Sequence, residues 1–279
     1  MKNEDQKNDI FFLKGYAKSG TNWVCNLLNL HHDISCNGEF HLEGLFRVYR
    51  DALTSKIGLM PRDPKILRQE WNRFITRLVR RYGDPSKIMC GDRTPGPILE
   101  YFLPNKKYIV ITRDGRDCCV SWFYHVMRRG IAQRPKMIEK QRLFKEDPQY
   151  FENHKNELLD LESLVRGVAK RWNDVILSDL ESKERSENGK LNCKIHMISY
   201  EQLHSDTEKE RKEMYSFLDL DPNNCDPLND ITTPGFKETN VKSHYRKGAK
   251  GDWKNYFTDE QLSWFMEEAS EGLSVLGLE

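Results

Sequence analysis

Three short apolar runs stand out along an otherwise polar chain: residues 10–13 (Ile-Phe-Phe-Leu), 108–112 (Tyr-Ile-Val-Ile-Thr) and 195–199 (Ile-His-Met-Ile-Ser). Each is four or five residues long, and two are nearly continuous in hydrophobicity, as strands buried on both faces are. Residues 87–90 form a weaker fourth candidate. Between the runs the apolar positions change to helical spacing. Residues 21–30 carry Trp23, Val24, Leu27, Leu28 and Leu30, and residues 71–81 carry Phe74, Ile75, Leu78 and Val79. Residues 118–127 follow the second run directly, residues 158–180 hold Leu161, Leu164, Val165, Val168, Trp172, Val175 and Ile176, and residues 259–276 hold Leu262, Phe265 and Met266. Strands alternating with helices predict an α/β fold with a central parallel sheet and flanking helices. Residues 181–190 read as an exposed loop, and the charged, proline-containing residues 130–156 as a mobile cap. Residues 1–279 are expected to form a single domain with a flexible lead-in over residues 1–9.

Composition narrows the partners. The 279 residues hold 44 Lys+Arg against 43 Asp+Glu, a formal net charge of +1, which argues against nucleic acid or another polyanion held by bulk positive charge. A small, local anion site stays open. A hydrophobic content of 38% with 11% aromatics supports a full core. No targeting signal is visible, and no apolar run approaches the roughly 20 residues that cross a bilayer. The seven cysteines, an odd number scattered along the chain, read as reduced thiols in a cytoplasmic protein. Cys118-Cys119 lacks metal-ligand spacing, so no metal is expected.

The first run leads straight into Gly15-Tyr16-Ala17-Lys18-Ser19-Gly20-Thr21-Asn22 and then a helix. Strand, glycine-containing turn and helix aim backbone N–H groups and a helix dipole at a phosphate. The glycines keep the G-x-x-x-x-G frame of a Walker loop, but Thr21 stands where that loop has its lysine, and the lysine sits inside, at Lys18. This argues against a kinase or ATPase. The second run ends in Arg113-Asp114-Gly115-Arg116-Asp117, with Ser121 eight residues beyond Arg113. An arginine fork and a hydroxyl suit one phosphate, although the four charges taken alone also read as a solvated ion cluster. Residues 242–254, rich in Lys and Arg and broken by Gly248 and Gly251, form a third basic segment with Tyr245 and Trp253 among the cations.

In this order the three pieces resemble the sulfotransferases that use 3′-phosphoadenosine-5′-phosphosulfate (PAPS). Lys18-Ser19-Gly20-Thr21-Asn22-Trp23 is similar to that family's 5′-phosphosulfate loop, Arg113 with Ser121 to its 3′-phosphate site, and Arg246-Lys247-Gly248-Ala249-Lys250-Gly251-Asp252-Trp253-Lys254 to the C-terminal motif of the cytosolic branch. The resemblance implies a fold related to P-loop kinases, PAPS as co-substrate and PAP as product. It implies that Lys18 meets the bridging oxygen and 5′-phosphate, that Ser19, Gly20, Thr21 and Asn22 hold that phosphate, and that Trp23 stacks on adenine with Phe236 opposite. Tyr200 would lie near the adenine, and Arg246, Lys247 and Gly248 would complete the 3′-phosphate clamp.

The chain departs from the cytosolic pattern where that branch carries a catalytic histidine in K-T-H. Here the segment reads Arg93-Thr94-Pro95, which is similar to the K-T-P of the carbohydrate sulfotransferases. In that branch and the tyrosylprotein branch a glutamate beyond the loop lysine is the base. Glu39, 21 residues after Lys18, stands there, with His41 as second candidate and Arg93 expected to bind the sulfuryl group. The cytosolic dimer motif is also broken, with Asp259 where it has valine, so the oligomeric state stays open. The expected function is transfer of a sulfuryl group to a hydroxyl of a small molecule or glycan, with Glu39 as general base. A non-catalytic PAP-binding protein and a small-molecule kinase are the alternatives. Phe40, Phe46, Tyr49, Phe123 and Tyr124 fall in segments expected to line a partly apolar acceptor pocket.

Overall fold

The computed structural model describes residues 9–54, 64–233 and 248–278. The chain gathers into two compact units, one comprising Met1–Tyr16, Gly20–Ile111 and Ser178–Thr233, the other Ala17–Ser19, Thr112–Leu177 and Pro234–Glu279.

The elements follow in chain order as β1 (Asp9–Lys14), α1 (Thr21–Leu28), β2 (Ile34–Gly38), α2 (Glu43–Thr54), α3 (Pro64–Tyr82), β3 (Met89–Asp92) and β4 (Lys107–Thr112). After these come α4 (Gly115–Arg129), α5 (Pro135–Glu146), α6 (Tyr150–Asn153), α7 (Glu162–Glu187), β5 (Lys194–Ser199), α8 (Tyr200–Ser205), α9 (Thr207–Phe217) and α10 (Asp259–Val275).

The first unit is built on the sheet, of strand order β2-β3-β1-β4-β5. β1 pairs in parallel with β3 (Phe12 opposite Asp92) and with β4 (Leu13 opposite Ile109), and β2 with β3. Successive strand residues point to opposite faces, so the continuous apolar runs are explained by two covers. Phe11, Leu13, Ile109 and Ile111 pack with Val24 and Leu27 of α1 and Met214 and Tyr215 of α9. Ile10, Phe12, Tyr108 and Val110 pack with Phe46 of α2 and Ile75 and Val79 of α3. The fold is the expected α/β architecture, with one more strand than the apolar pattern shows. β2 (Ile-Ser-Cys-Asn-Gly) escapes because its buried Ser35 and Cys36 are small and weakly apolar.

The second unit centres on α4, capped at its start by the Asp114 side chain and at its end by left-handed Gly130. Cys118, Cys119, Val120, Phe123 and Tyr124 are buried along it. Residues 130–156, read as a cap, carry α5 and α6, whose Met137, Phe144 and Phe151 are buried. Two sequence expectations are corrected. Asp9 of the expected lead-in already belongs to β1, while residues 1–8 lie outside the described residues. The loop expected from residue 181 begins later, because α7 runs on to Glu187 with Glu181–Arg185 and Lys183–Glu187 ion pairs at i,i+4 along its polar face. Among the described residues, no helix is long and apolar enough to cross a membrane.

Candidate active site

The turn after β1 is shaped by backbone constraint. Gly15 has φ +137°, and a Cβ there would lie 2.3 Å from the Ile111 carbonyl oxygen. Gly20 has φ +107° and would press on the Tyr200 ring at 2.9 Å, so both glycines are required by close approach as well as by dihedral angle. Gly20 caps α1 without a side-chain acceptor. The first-turn N–H groups of α1 therefore have no side-chain cap, the condition under which a helix start receives an anion.

In the first unit, the residues at the carboxyl ends of β2 and β3 meet the first turn of α1. Arg93 Nη1 donates to Asn22 Oδ1 and, at 2.7 Å, to Glu39 Oε1. The other Glu39 oxygen lies 3.6 Å from His41 Nε2, and the Glu39 side chain keeps 34% of its exposure. The structure thus brings together Asn22, Glu39, His41 and Arg93, four residues chosen from sequence. It also reveals their support, which the sequence reading missed. Buried Asp92 accepts through Oδ1 from Phe40 N (3.2 Å), Thr94 N (3.0 Å) and Thr94 Oγ1 (2.7 Å), and Thr94 Oγ1 accepts from His41 N at 3.2 Å. Arg93 N donates to the Gly38 carbonyl at 3.1 Å, and buried Lys14 donates to the Thr94 carbonyl at 2.8 Å. The Glu39 turn and the Arg93 turn are therefore tied to each other through one carboxylate.

Trp23 and Tyr200 lie in the same unit. Trp23 is 8% exposed, packs against Tyr200 with ring centroids 5.3 Å apart, and donates its indole N–H to the Thr232 carbonyl at 2.8 Å. Both rings belong to the core on the α1 side of the sheet.

In the second unit, Lys18 adopts a left-handed backbone (φ +78°), and its Nζ lies 2.9 Å from His125 Nδ1. Ser19 is buried, with its Oγ 3.7 Å from Cys118 Sγ; burial pushes the Cys118 thiol up to about 12, so it stays neutral there. Arg113 donates to the Lys18 carbonyl (3.2 Å) and the Ala249 carbonyl (2.9 Å). Asp117, its acidity weakened chiefly by burial, accepts from Gly251 N (2.8 Å) and Trp253 N (2.9 Å), and the Arg116 guanidinium lies 3.9 Å from the Trp253 ring centroid. The 113–117 segment is thus a buried clamp on the Gly-Asp-Trp turn and not a solvated ion cluster. Ser121 is half-buried on α4, and Gly248 is half-buried with φ +61°. Phe236, Arg246 and Lys247 lie outside the described residues.

The expected aromatic lining needs correction. Phe46, Phe123 and Tyr124 are 1%, 0% and 0% exposed, because they take core-facing positions on α2 and α4; Phe40 and Tyr49 are half-buried.

Comparison with known proteins places this geometry. A family model described as a sulfotransferase domain matches residues 94–274, and a second, described as a sulfotransferase family, matches residues 10–160. The chain is similar to mouse sulfotransferase 1B1 (26% identical, covering 90% of this chain and 78% of the relative) and to the 3-beta-hydroxysteroid sulfotransferase of Cavia porcellus (24%, with the same coverage). Its fold is similar to the crystal structure of mouse sulfotransferase SULT7A1 complexed with PAP, with a TM-score of 0.50, 23% identity, and coverage of 95% of this chain and 85% of that one. With the sulfotransferase-domain model spanning more than half of its length, the chain belongs to the sulfotransferase family.

Proposed function

We propose that this chain transfers the sulfuryl group of PAPS to an acceptor hydroxyl, with Glu39 as the general base. The observation that carries the reading is the turn between β1 and α1: a strand, a glycine-framed loop with its lysine inside at Lys18, and a helix start whose N–H groups have no side-chain cap. This suits an anion whose bridging oxygen must be met from within the loop. The donor set fits such a ligand, since Lys18 and Arg113 are both cationic and Arg113 also donates to the loop's own backbone at the Lys18 carbonyl.

In the transfer step the sulfur–oxygen bond to the donor's 5′-phosphate breaks as a bond forms from sulfur to the acceptor oxygen. The acceptor proton passes to the Glu39 carboxylate, and PAP departs with the charge left on its phosphate oxygen. By analogy with phosphoryl transfer the transition state is loose and in line, so positioning and charge stabilisation supply most of the acceleration. Lys18 meets the leaving oxygen. Arg93, held by Asn22 and Glu39, carries the cation on the acceptor side. The one-third-exposed Glu39 carboxylate suits a base that must be reached by substrate, and its work is worth about 10²–10⁴-fold.

The acceptor is proposed to be a small molecule or glycan. The direct test is thermal melting with and without PAP. Binding that raises the melting temperature supports the reading, and a shift with ATP but none with PAP overturns it.

A further inference from the structure

His125 belongs to none of the motifs that point to the donor site, yet its Nδ1 lies within hydrogen-bond distance of the loop lysine. An ammonium only donates, so at 2.9 Å from Lys18 Nζ the Nδ1 of His125 is the acceptor. The ring is then neutral, with its proton on Nε2. We propose that His125 is the positioning residue for Lys18 in sulfuryl transfer, a proposal that rests on the donor-site role of Lys18 given above.

Three observations carry it. The Lys18 backbone is already fixed, by its left-handed φ of +78° and by the Arg113 bond to its carbonyl at 3.2 Å. What remains to be ordered is the flexible four-carbon stem, and an acceptor for its ammonium does that. His125 stands on α4 between Tyr124 and Val126, both buried, so the acceptor is carried by a rigid element and not by another loop. Ser121, expected to bind the 3′-phosphate, lies one turn earlier at i−4, on the same face of the helix.

The chemistry needs no proton from the imidazole. The sulfur–oxygen bond of the donor breaks, the acceptor's oxygen–sulfur bond forms, and the acceptor proton goes to Glu39. Lys18 stays an ammonium throughout and meets the charge on the departing phosphate oxygen. His125 holds that ammonium where the donor's leaving oxygen arrives, so the lysine is not searching rotamers when the donor binds.

The test compares two substitutions of nearly equal size. His125→Leu removes the acceptor. His125→Asn puts an amide oxygen at the place of Nδ1. His125→Leu is expected to lower kcat about 10- to 100-fold while PAP affinity and the KM for the donor stay within about threefold. His125→Asn is expected to recover kcat to within about threefold of wild type. A purely structural role would depress both variants alike and lower the melting temperature. Nitrogen NMR of the wild-type ring adds a readout independent of turnover: a proton on Nε2, an accepting Nδ1, and loss of the hydrogen-bond shift in Lys18→Met. The proposal is overturned if Leu leaves kcat unchanged, if Asn falls as far as Leu, or if the ring proton sits on Nδ1. Wild-type protein that binds no PAP overturns the donor-site reading itself, and that result is separate from the NMR state of the Lys18–His125 pair.

Discussion

Two arginines, each placed just after a parallel strand, are used in opposite ways. Arg93 pairs side chain to side chain, with Asn22 and Glu39, and the Glu39 carboxylate stays one-third exposed. Arg113 donates to the carbonyls of Lys18 and Ala249, while its neighbour Asp117, with a side chain only 2% exposed, accepts two backbone N–H groups. The residue types are the same, but the bonding separates a partly exposed side-chain cluster from a buried clamp on a loop. Substitution should separate the two carboxylates, with Glu39 acting on chemistry and Asp117 on stability.

The largest effect is expected at Glu39. Glu39→Gln should lower turnover by about 10²–10⁴-fold, measured under saturating donor, with PAP affinity by calorimetry near that of wild type. Equal activity in Glu39→Gln moves the base elsewhere, and His41→Ala becomes the next variant to assay. Asp117→Ala is expected to act on the other property. It leaves the Gly251 and Trp253 N–H groups without their acceptor, at a cost of about 3 kcal/mol. The melting temperature should fall by roughly 6–12 °C. An unchanged melting temperature would refute the clamp. Arg93→Met is expected to be intermediate: it removes the cation that holds Glu39 and should lower kcat by about tenfold or more, with little change in melting temperature.

The smallest effect concerns the buried charges under the Glu39 turn. Burial is the main cause of both shifts, taking Lys14 from 10.5 down to about 8 and Asp179 from 3.8 up to about 7. Between pH 3.8 and 7 the folded state holds the Asp179 proton more tightly than the unfolded chain does, so this carboxylate makes stability fall as pH rises. Between pH 8 and 10.5 the unfolded chain holds the Lys14 proton more tightly, so this lysine makes stability rise with pH, at most by about 1.4 kcal/mol per pH unit. Denaturant melts of wild type and Lys14→Met from pH 8 to 10 check this: the rise should be present in the first and absent from the second.

The sequence shows the parts whose physics is local and leaves out those that depend on distant partners. β1 and β4 declare themselves because buried parallel strands are continuous apolar runs, β5 by its apolar residues although only Ile198 of it is buried, and the β1–α1 turn because its glycines and lysine fall within six residues. α9 (Thr207–Phe217) is hidden by its charges; Thr207, Glu210 and Arg211 are buried, and Arg211 is satisfied by Glu208 and the Asp226 carbonyl. The charges at residues 113–117 look solvated in a linear reading, and only the return of the chain at Gly251 and Trp253 shows what they hold. His125 has no motif around it. Its partner Lys18 is 107 residues away, a juxtaposition that only the fold creates.

Sulfuryl transfer from PAPS to a hydroxyl can be followed directly. The measurement closest to it incubates the wild-type chain with PAPS and a broad set of hydroxylated small molecules and glycans. PAP release and mass gain of each acceptor are followed together. PAP and a sulfated acceptor are expected to appear in equal amounts. Tight PAP binding with no sulfated product from any acceptor, or PAP release without acceptor sulfation, would contradict it.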